Sequence, residues 1–135
     1  MAESSTVKPS TVKLWHTLSV HDADAMIAWL GAIGFIEHST YRDDEDSTVV
    51  HHAEWLWPGG GGLMFGTRRP GGGLQGTGPG ACYLVTDDPD AVFDAAISAG
   101  GTVERPMVDQ DYGGRGGSVR DPEGNHWSFG SYQPS

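Results

Sequence analysis

The chain has 135 residues, enough for one domain with a sizeable core, and its 37% apolar and 19% charged residues give a globular balance. Eighteen acidic against eight basic residues leave a formal charge of −10, which argues against a nucleic-acid binder and, by long-range attraction, favours a cationic partner. No apolar run approaches a membrane span or follows the N-terminus, and Cys82 is the only cysteine, so the expectation is a soluble cytoplasmic protein with no signal peptide, membrane partner or internal disulfide.

Residues 1–10 are rich in Ser and Thr, lack apolar periodicity and read as a disordered leader. From Thr11 to Val20 the pattern alternates, with Leu14, His16, Leu18 and Val20 on one face and Trp15, Thr17 and Ser19 on the other. That is a half-buried strand. Asp22 or Asp24 can cap the helix that follows, whose apolar face is Met26, Ile27, Trp29, Leu30 and Ile33, and Gly34 ends it. Phe35 to Tyr41 and Thr48 to Trp57 are strands joined by an acidic hairpin loop, Asp43 to Asp46. Pro58 and four glycines then turn the chain into the short strand Leu63 to Phe65. The Gly/Pro-rich stretch Thr67 to Pro79, with Arg68 and Arg69, is a linker or a loop at a site mouth.

The pattern then restarts. Ala81 to Thr86 alternates, with Cys82, Leu84 and Thr86 on one face and Ala81, Tyr83 and Val85 on the other. Asp88-Pro89 opens a helix with Val92, Phe93, Ala96 and Ile97 on its buried face, and Gly100 closes it. Thr102 to Val108 is a strand, Asp109 to Gly117 a glycine-rich loop, Ser118 to Arg120 a strand, and His126 to Phe129 the last strand after an Asp-Pro-Glu-Gly-Asn turn. Asp22, Ala23 and Gly34 fall on Asp88, Pro89 and Gly100 at one constant offset. Leu63-Met64-Phe65-Gly66 falls on Trp127-Ser128-Phe129-Gly130 with a small slip. A strand-helix-strand-strand-strand unit is therefore used twice.

Three pieces, Val20-His21-Asp22, the helix from Asp87-Asp88 to Ala99-Gly100, and Arg120-Asp121-Pro122-Glu123-Gly124-Asn125, resemble the vicinal oxygen chelate superfamily of glyoxalases, bleomycin-resistance proteins and extradiol dioxygenases. The resemblance runs over residues 11–132. It implies an α+β fold in which two βαβββ modules form a curved, cup-like mixed sheet with helices outside. Module one would be residues 11–66, the linker 67–79 and module two 80–132. A homodimer is also implied.

Enzymes of that superfamily hold a divalent metal on His, Glu or Gln side chains, at positions that fall here on Trp15, Met64, Ala81 and Ser128. Those residue types do not suit such an ion. The expectation is accordingly no cofactor and no metal, with His16 turned to the core. His51 and His52, adjacent in a strand, point opposite ways. No nucleophile elbow or Walker motif occurs, and Cys82 reads as a small buried hydrophobe.

The function this implies, closest to the bleomycin-resistance branch, is sequestration without turnover of a small aromatic or cationic organic ligand, with antibiotic resistance as a role the resemblance suggests. Trp15, Tyr83, Trp55, Trp57 and His126 are expected as walls, Met64 as a flexible filler, and Tyr112 and Arg115 as rim. Arg115 and Arg68 would equally favour an anionic group. The alternative is a metal-dependent lyase, isomerase or dioxygenase with a displaced site around His16, His52, Glu54 and His126.

Overall fold

A computed structural model of the chain describes residues 8–69 and 81–134. The chain forms two compact units, Met1–Gly78 and Pro79–Ser135, here modules one and two. Module one runs β1 (Trp15–Val20), α1 (Ala23–Ile33), β2 (Ile36–Arg42), β3 (Val50–Leu56) and β4 (Gly62–Thr67). Module two repeats the order with β5 (Ala81–Val85), α2 (Pro89–Ser98), β6 (Thr102–Asp109), β7 (Arg115–Arg120) and β8 (His126–Gly130).

Each module has its own four-stranded mixed sheet, in the order β1-β4-β3-β2 and β5-β8-β7-β6. The first strand of each lies parallel to the last, and the other neighbours are antiparallel. A parallel pair needs a long crossover, and the helix with its two following strands supplies it. This is the duplicated α+β βαβββ architecture expected from the sequence.

The caps explain where the helices start and stop. Asp22 accepts from the Ala25 N–H at 3.1 Å and Asp88 from the Ala91 N–H at 3.2 Å. Pro89 occupies the first helical turn of α2, where its missing N–H costs nothing. At the other end Gly34 has φ 118°, and the Phe35 N–H donates to the Leu30 carbonyl at 2.9 Å. In α2 the Gly101 N–H donates likewise to the Ala96 carbonyl at 2.9 Å. Such closures satisfy the last carbonyls of a helix and need a left-handed residue, which glycine accepts without strain. α1 buries Met26, Trp29, Leu30 and Ile33, and α2 buries Phe93 and Ala96. Each large side chain so buried contributes roughly 1.5–3 kcal/mol.

The two largest boundary shifts are at the starts of β1 and β7. Pro9–Thr11 form a 3-10 turn, so β1 starts only at Trp15 and Leu14 is left 81% exposed. The Asp109–Gly117 loop is shorter than expected, because Asp109 pairs with Arg115 and Val108 with Gly116. Residues 1–7 of the expected leader and 70–79 of the expected linker lie outside the described residues. Among the described residues no helix is long and apolar enough to cross a membrane.

The Asp-Pro-Glu-Gly-Asn turn is built around a buried carboxylate. Asp121 is 4% exposed and accepts from the backbone of Glu123 (2.8 Å) and Asn125 (3.0 Å), from Asn125 Nδ2 (2.9 Å) and from Trp127 Nε1 (2.8 Å). A buried charge is tolerable only when hydrogen bonds replace its hydration. The motif that resembles the family most therefore holds the β7–β8 hairpin together.

Candidate functional site

Strand register decides which side chains of module two share a face. Ala81 lies opposite His126, Tyr83 opposite Ser128, Ser118 opposite Ser128, and Arg120 opposite His126. These residues occupy one face of the sheet. Trp127, Phe129 and Val119 alternate to the other face and are fully buried, on the strands that α2 packs against.

A cleft of about 150 Å³ opens in this module. Tyr83, Tyr112 and Tyr132 line it together with Arg105, Gln110 and Ser128, and Ala81, Cys82, Phe129, Arg115, Gly116 and Gly117 complete the wall. The tyrosines form a linked set. Tyr112 and Tyr132 meet edge to face with ring centroids 5.3 Å apart, and the Tyr83 hydroxyl donates to the Tyr132 carbonyl at 2.7 Å. The Tyr83 ring lies across Gly130, where any Cβ would collide with it. Partial burial and the nearby Tyr112 raise the Tyr83 pKa, so it stays a neutral donor. All three rings remain at least 40% exposed and offer free surface.

Polar groups around the cleft are ordered. Arg115 donates from Nε and Nη2 to the two carboxylate oxygens of Asp90 at 2.9 and 3.3 Å, and from Nη1 to Asp109 at 3.3 Å. The Asp90 carboxylate, then Asp109, raise its pKa further. Arg115 was expected at the rim as a ligand clamp; it is engaged instead by two carboxylates of its own module. Cys82 lines the cleft, but burial raises its pKa to about 11, so it is not a thiolate nucleophile at neutral pH. His126 stands on the same sheet face but outside the cleft lining, with Nδ1 2.8 and 2.9 Å from the two Glu104 oxygens. Arg120 approaches Glu104 at 3.4 Å, and the His126 hydrogen bond chiefly lowers the Glu104 pKa.

Module one holds the other expected residues. Trp15 lies across Gly62 and shares its face with Met64, which sits opposite Glu54. Trp55 and Trp57, expected as pocket walls, are buried in the module interior, 7% and 8% exposed. The pleat turns Trp55 away from Glu54, and its indole donates to Thr40 Oγ1 at 3.2 Å. Trp57 packs on Phe35 with ring centroids 5.2 Å apart and on Gly34. His16 lies opposite the buried Leu63, on the face away from Trp15. His52 and Glu54 share a face and bond at 2.8 Å, with His38 3.9 Å from the same carboxylate. His51 turns the other way to Asp43 at 2.9 Å. Module one also has an open hollow of about 470 Å³ between residues 11–14 and the turn 58–61, which has no aromatic lining.

The metal positions implied by the family resemblance can be judged by their chemistry. Trp15 offers an indole, Met64 a thioether, Ala81 a methyl and Ser128 a hydroxyl. A divalent ion that binds imidazole and carboxylate finds neither donor there. Among the described residues, no group of three or more His, Cys, Asp or Glu is placed to hold a metal. The residues present do not fit the ion.

Sequence reasoning missed Tyr132, Arg105 and Gln110. Tyr132 follows the last strand and Gln110 lies in a loop, so alternation could not place either. Arg105 sits between register shifts in β6, where alternation fails.

Comparisons with known proteins agree with the geometry. Among curated relatives, uncharacterized proteins of Mycobacterium tuberculosis and Mycobacterium bovis are each 47% identical over 57 residues, which is 42% of this chain. The match spans only 33% and 37% of their respective lengths, so the chain covers about a third of these relatives. Among solved structures, TioX from Micromonospora sp. ML1 is 25% identical with a TM-score of 0.66, covering 89% of this chain and 98% of that one. A glyoxalase family protein from Bacillus cereus is 12% identical with a TM-score of 0.69 over 94% and 97% of the two chains. A glyoxalase/bleomycin resistance protein from Albidiferax ferrireducens T118 is 20% identical, with a TM-score of 0.63 over 90% and 98%. At such identities the last two speak for the fold alone. The family model that matches residues 13–129 is the one described as glyoxalase/bleomycin resistance protein/dioxygenase superfamily. With the duplicated βαβββ modules and this match over most of its length, the chain belongs to the glyoxalase/bleomycin resistance protein/dioxygenase superfamily.

Proposed function

We propose that this protein binds a small organic molecule through an aromatic surface and holds it without chemical turnover. The observation that carries the reading is the convergence of Tyr83, Tyr112 and Tyr132 on one cleft. Tyrosine rings offer large flat area at little entropic cost, and each ring stacked on a ligand adds about 0.5–1.5 kcal/mol beyond its area. A groove walled this way suits a planar ligand. The absence of suitable donors at Trp15, Met64, Ala81 and Ser128 supports capture over the family's metal chemistry. His126 has an orienting carboxylate in Glu104, but it stands outside the cleft lining, which argues against acid–base work on a ligand held there.

The test is calorimetric titration with a panel of bicyclic aromatic compounds, followed by chromatography of the recovered ligand. Saturable one-to-one binding, unchanged ligand and about tenfold weakening by Tyr112→Ala are expected. Turnover of a bound compound, or stoichiometric Zn²⁺, Mn²⁺, Fe²⁺ or Ni²⁺ in protein purified without chelator, would overturn the reading in favour of a metal-dependent lyase, isomerase or dioxygenase.

A further inference from the structure

The charge of the module-two cleft runs against the charge of the chain. The whole sequence carries −10, yet among the described residues no carboxylate lines the cleft. Two arginines do. Arg115 is matched by Asp90 and Asp109. Arg105 is not: its Nε and Nη2 donate at 3.2 and 3.1 Å to one neutral acceptor, the hydroxyl of Ser118, and no carboxylate pairs with it among the described residues.

A short relay leads from Arg105 through Ser118 to Ser128. A guanidinium can only donate. Its Nε and Nη2 both reach Ser118 Oγ, which also bonds Ser128 Oγ at 2.8 Å, with either hydroxyl able to supply that proton. Among the described residues Ser128 Oγ has no other hydrogen-bond partner, so its hydroxyl can turn to a group in the cleft. The outer Nη1/Nη2 edge of Arg105 is likewise left over, and both residues line the cleft. Two sets of donors can therefore meet a group that only accepts. Ser128 also occupies a position where the family resemblance implies a metal-binding acid, so the polarity of that position is reversed.

We propose that the cleft selects an aromatic carboxylate, with the tyrosines holding the ring and Arg105 and Ser128 holding the anion. This rests on the reading that the cleft binds aromatic molecules, and it replaces the cationic ligand that net charge suggests. A carboxylate presents two coplanar acceptors, which match the end-on fork of a guanidinium. An ammonium group would meet the Arg105 guanidinium, which carries the same charge and cannot accept a hydrogen bond.

The experiment compares three ligands of one shape, 2-naphthoate, 2-naphthamide and 2-naphthylmethylammonium, by isothermal titration at low and high salt. Naphthoate is expected to bind about tenfold more tightly than the amide, with the ammonium weakest, and its advantage should shrink as salt rises. Arg105→Gln should bring naphthoate down towards the level of the amide, with a much smaller loss for the amide. Arg105→Lys should restore only part of the preference, and Ser128→Ala should cost naphthoate a smaller share. Arg105 is exposed on an edge strand, so its variants keep the fold, and a thermal melt checks this for all three. Equal binding of all three ligands, or a preference that survives Arg105→Gln, would overturn the selection of an anion and leave aromatic capture standing. Binding of none of them, or binding indifferent to Tyr112→Ala, would overturn both.

Discussion

The two modules make the same turn and fill it with opposite chemistry. In module two the Asp121 N–H donates to the Asn125 carbonyl at 2.9 Å, and the Gly124 N–H to the Asp121 carbonyl at 2.9 Å. In module one the Trp57 N–H donates to the Gly61 carbonyl at 3.1 Å, and the Gly60 N–H to the Trp57 carbonyl at 2.9 Å. Pro58 stands where Pro122 does, and Gly60 and Gly124 both have positive φ. The backbone is one solution used twice. The plug differs: a carboxylate caught by four donor groups in one case, an indole packed on Phe35 and Gly34 in the other. A duplicated fold can conserve the path of its chain while exchanging a polar for an apolar filling, provided every buried donor keeps a partner.

Swapping the plugs should break this equivalence most severely. In module one the counterparts of Trp127 and Asn125 are Leu63 and Gly61, which bring no side-chain donors. Trp57→Asp would bury a carboxylate without the indole and amide that hold Asp121, and urea melts should show it as the most destabilised variant. Trp57→Ala removes packing alone and should cost about 3–5 kcal/mol. Asp121→Ala should cost about 3 kcal/mol, because it removes the buried acceptor of the Trp127 indole N–H and of two backbone N–H groups. A finding that Trp57→Asp is milder than Trp57→Ala would mean that the two turns are not equivalent.

Two smaller effects sharpen the contrast, both in module two. The Cys82 thiol has its pKa raised by burial to about 11 from an ordinary 9.0. The folded state therefore retains this proton longer than the unfolded chain, so the associated stability is fully present below pH 9 and is lost as pH rises towards 11. Alkylation by iodoacetamide at pH 8 should accordingly be slow in the native protein and fast in urea. Smallest of all is the exposed Glu104 cluster. His126, then Arg120, hold its carboxyl below the usual value. Its contribution is present above the ordinary carboxylate range and is lost as pH falls through the lowered folded value. The stability difference between Glu104→Gln and the parent, measured by thermal melts, should shrink as the pH falls.

Much of the fold could be read along the chain because its signals are local. Asp22, Asp88, Gly34 and Gly100 mark helix ends through bonds made within a few residues, and the Asp121 turn closes over five. The site was less legible. Tyr83, Tyr112 and Arg115 were within reach because a strand pattern and a loop position pointed to them. Arg105 was not. Pro106 follows it on an edge strand whose pairing slips twice, so the face of Arg105 depends on a bulge and not on counting. Trp55 and Trp57 show the complementary failure. The strand expected from Thr48 to Trp57 contained both, but its pattern could not say which face would be covered.

What the sequence alone determined was the duplicated βαβββ order, the caps that delimit its helices and the turn that closes its last hairpin. Only the tertiary structure decided that the tryptophans of β3 and its following turn fill the interior, that Arg115 is matched by Asp90, and that Arg105, with no carboxylate partner among the described residues, lines one cleft with Ser128 and three tyrosines. The reason is range. Caps and turns are settled by neighbours in the chain, whereas the face a side chain shows and the partner it meets depend on strand register and on residues far away in sequence.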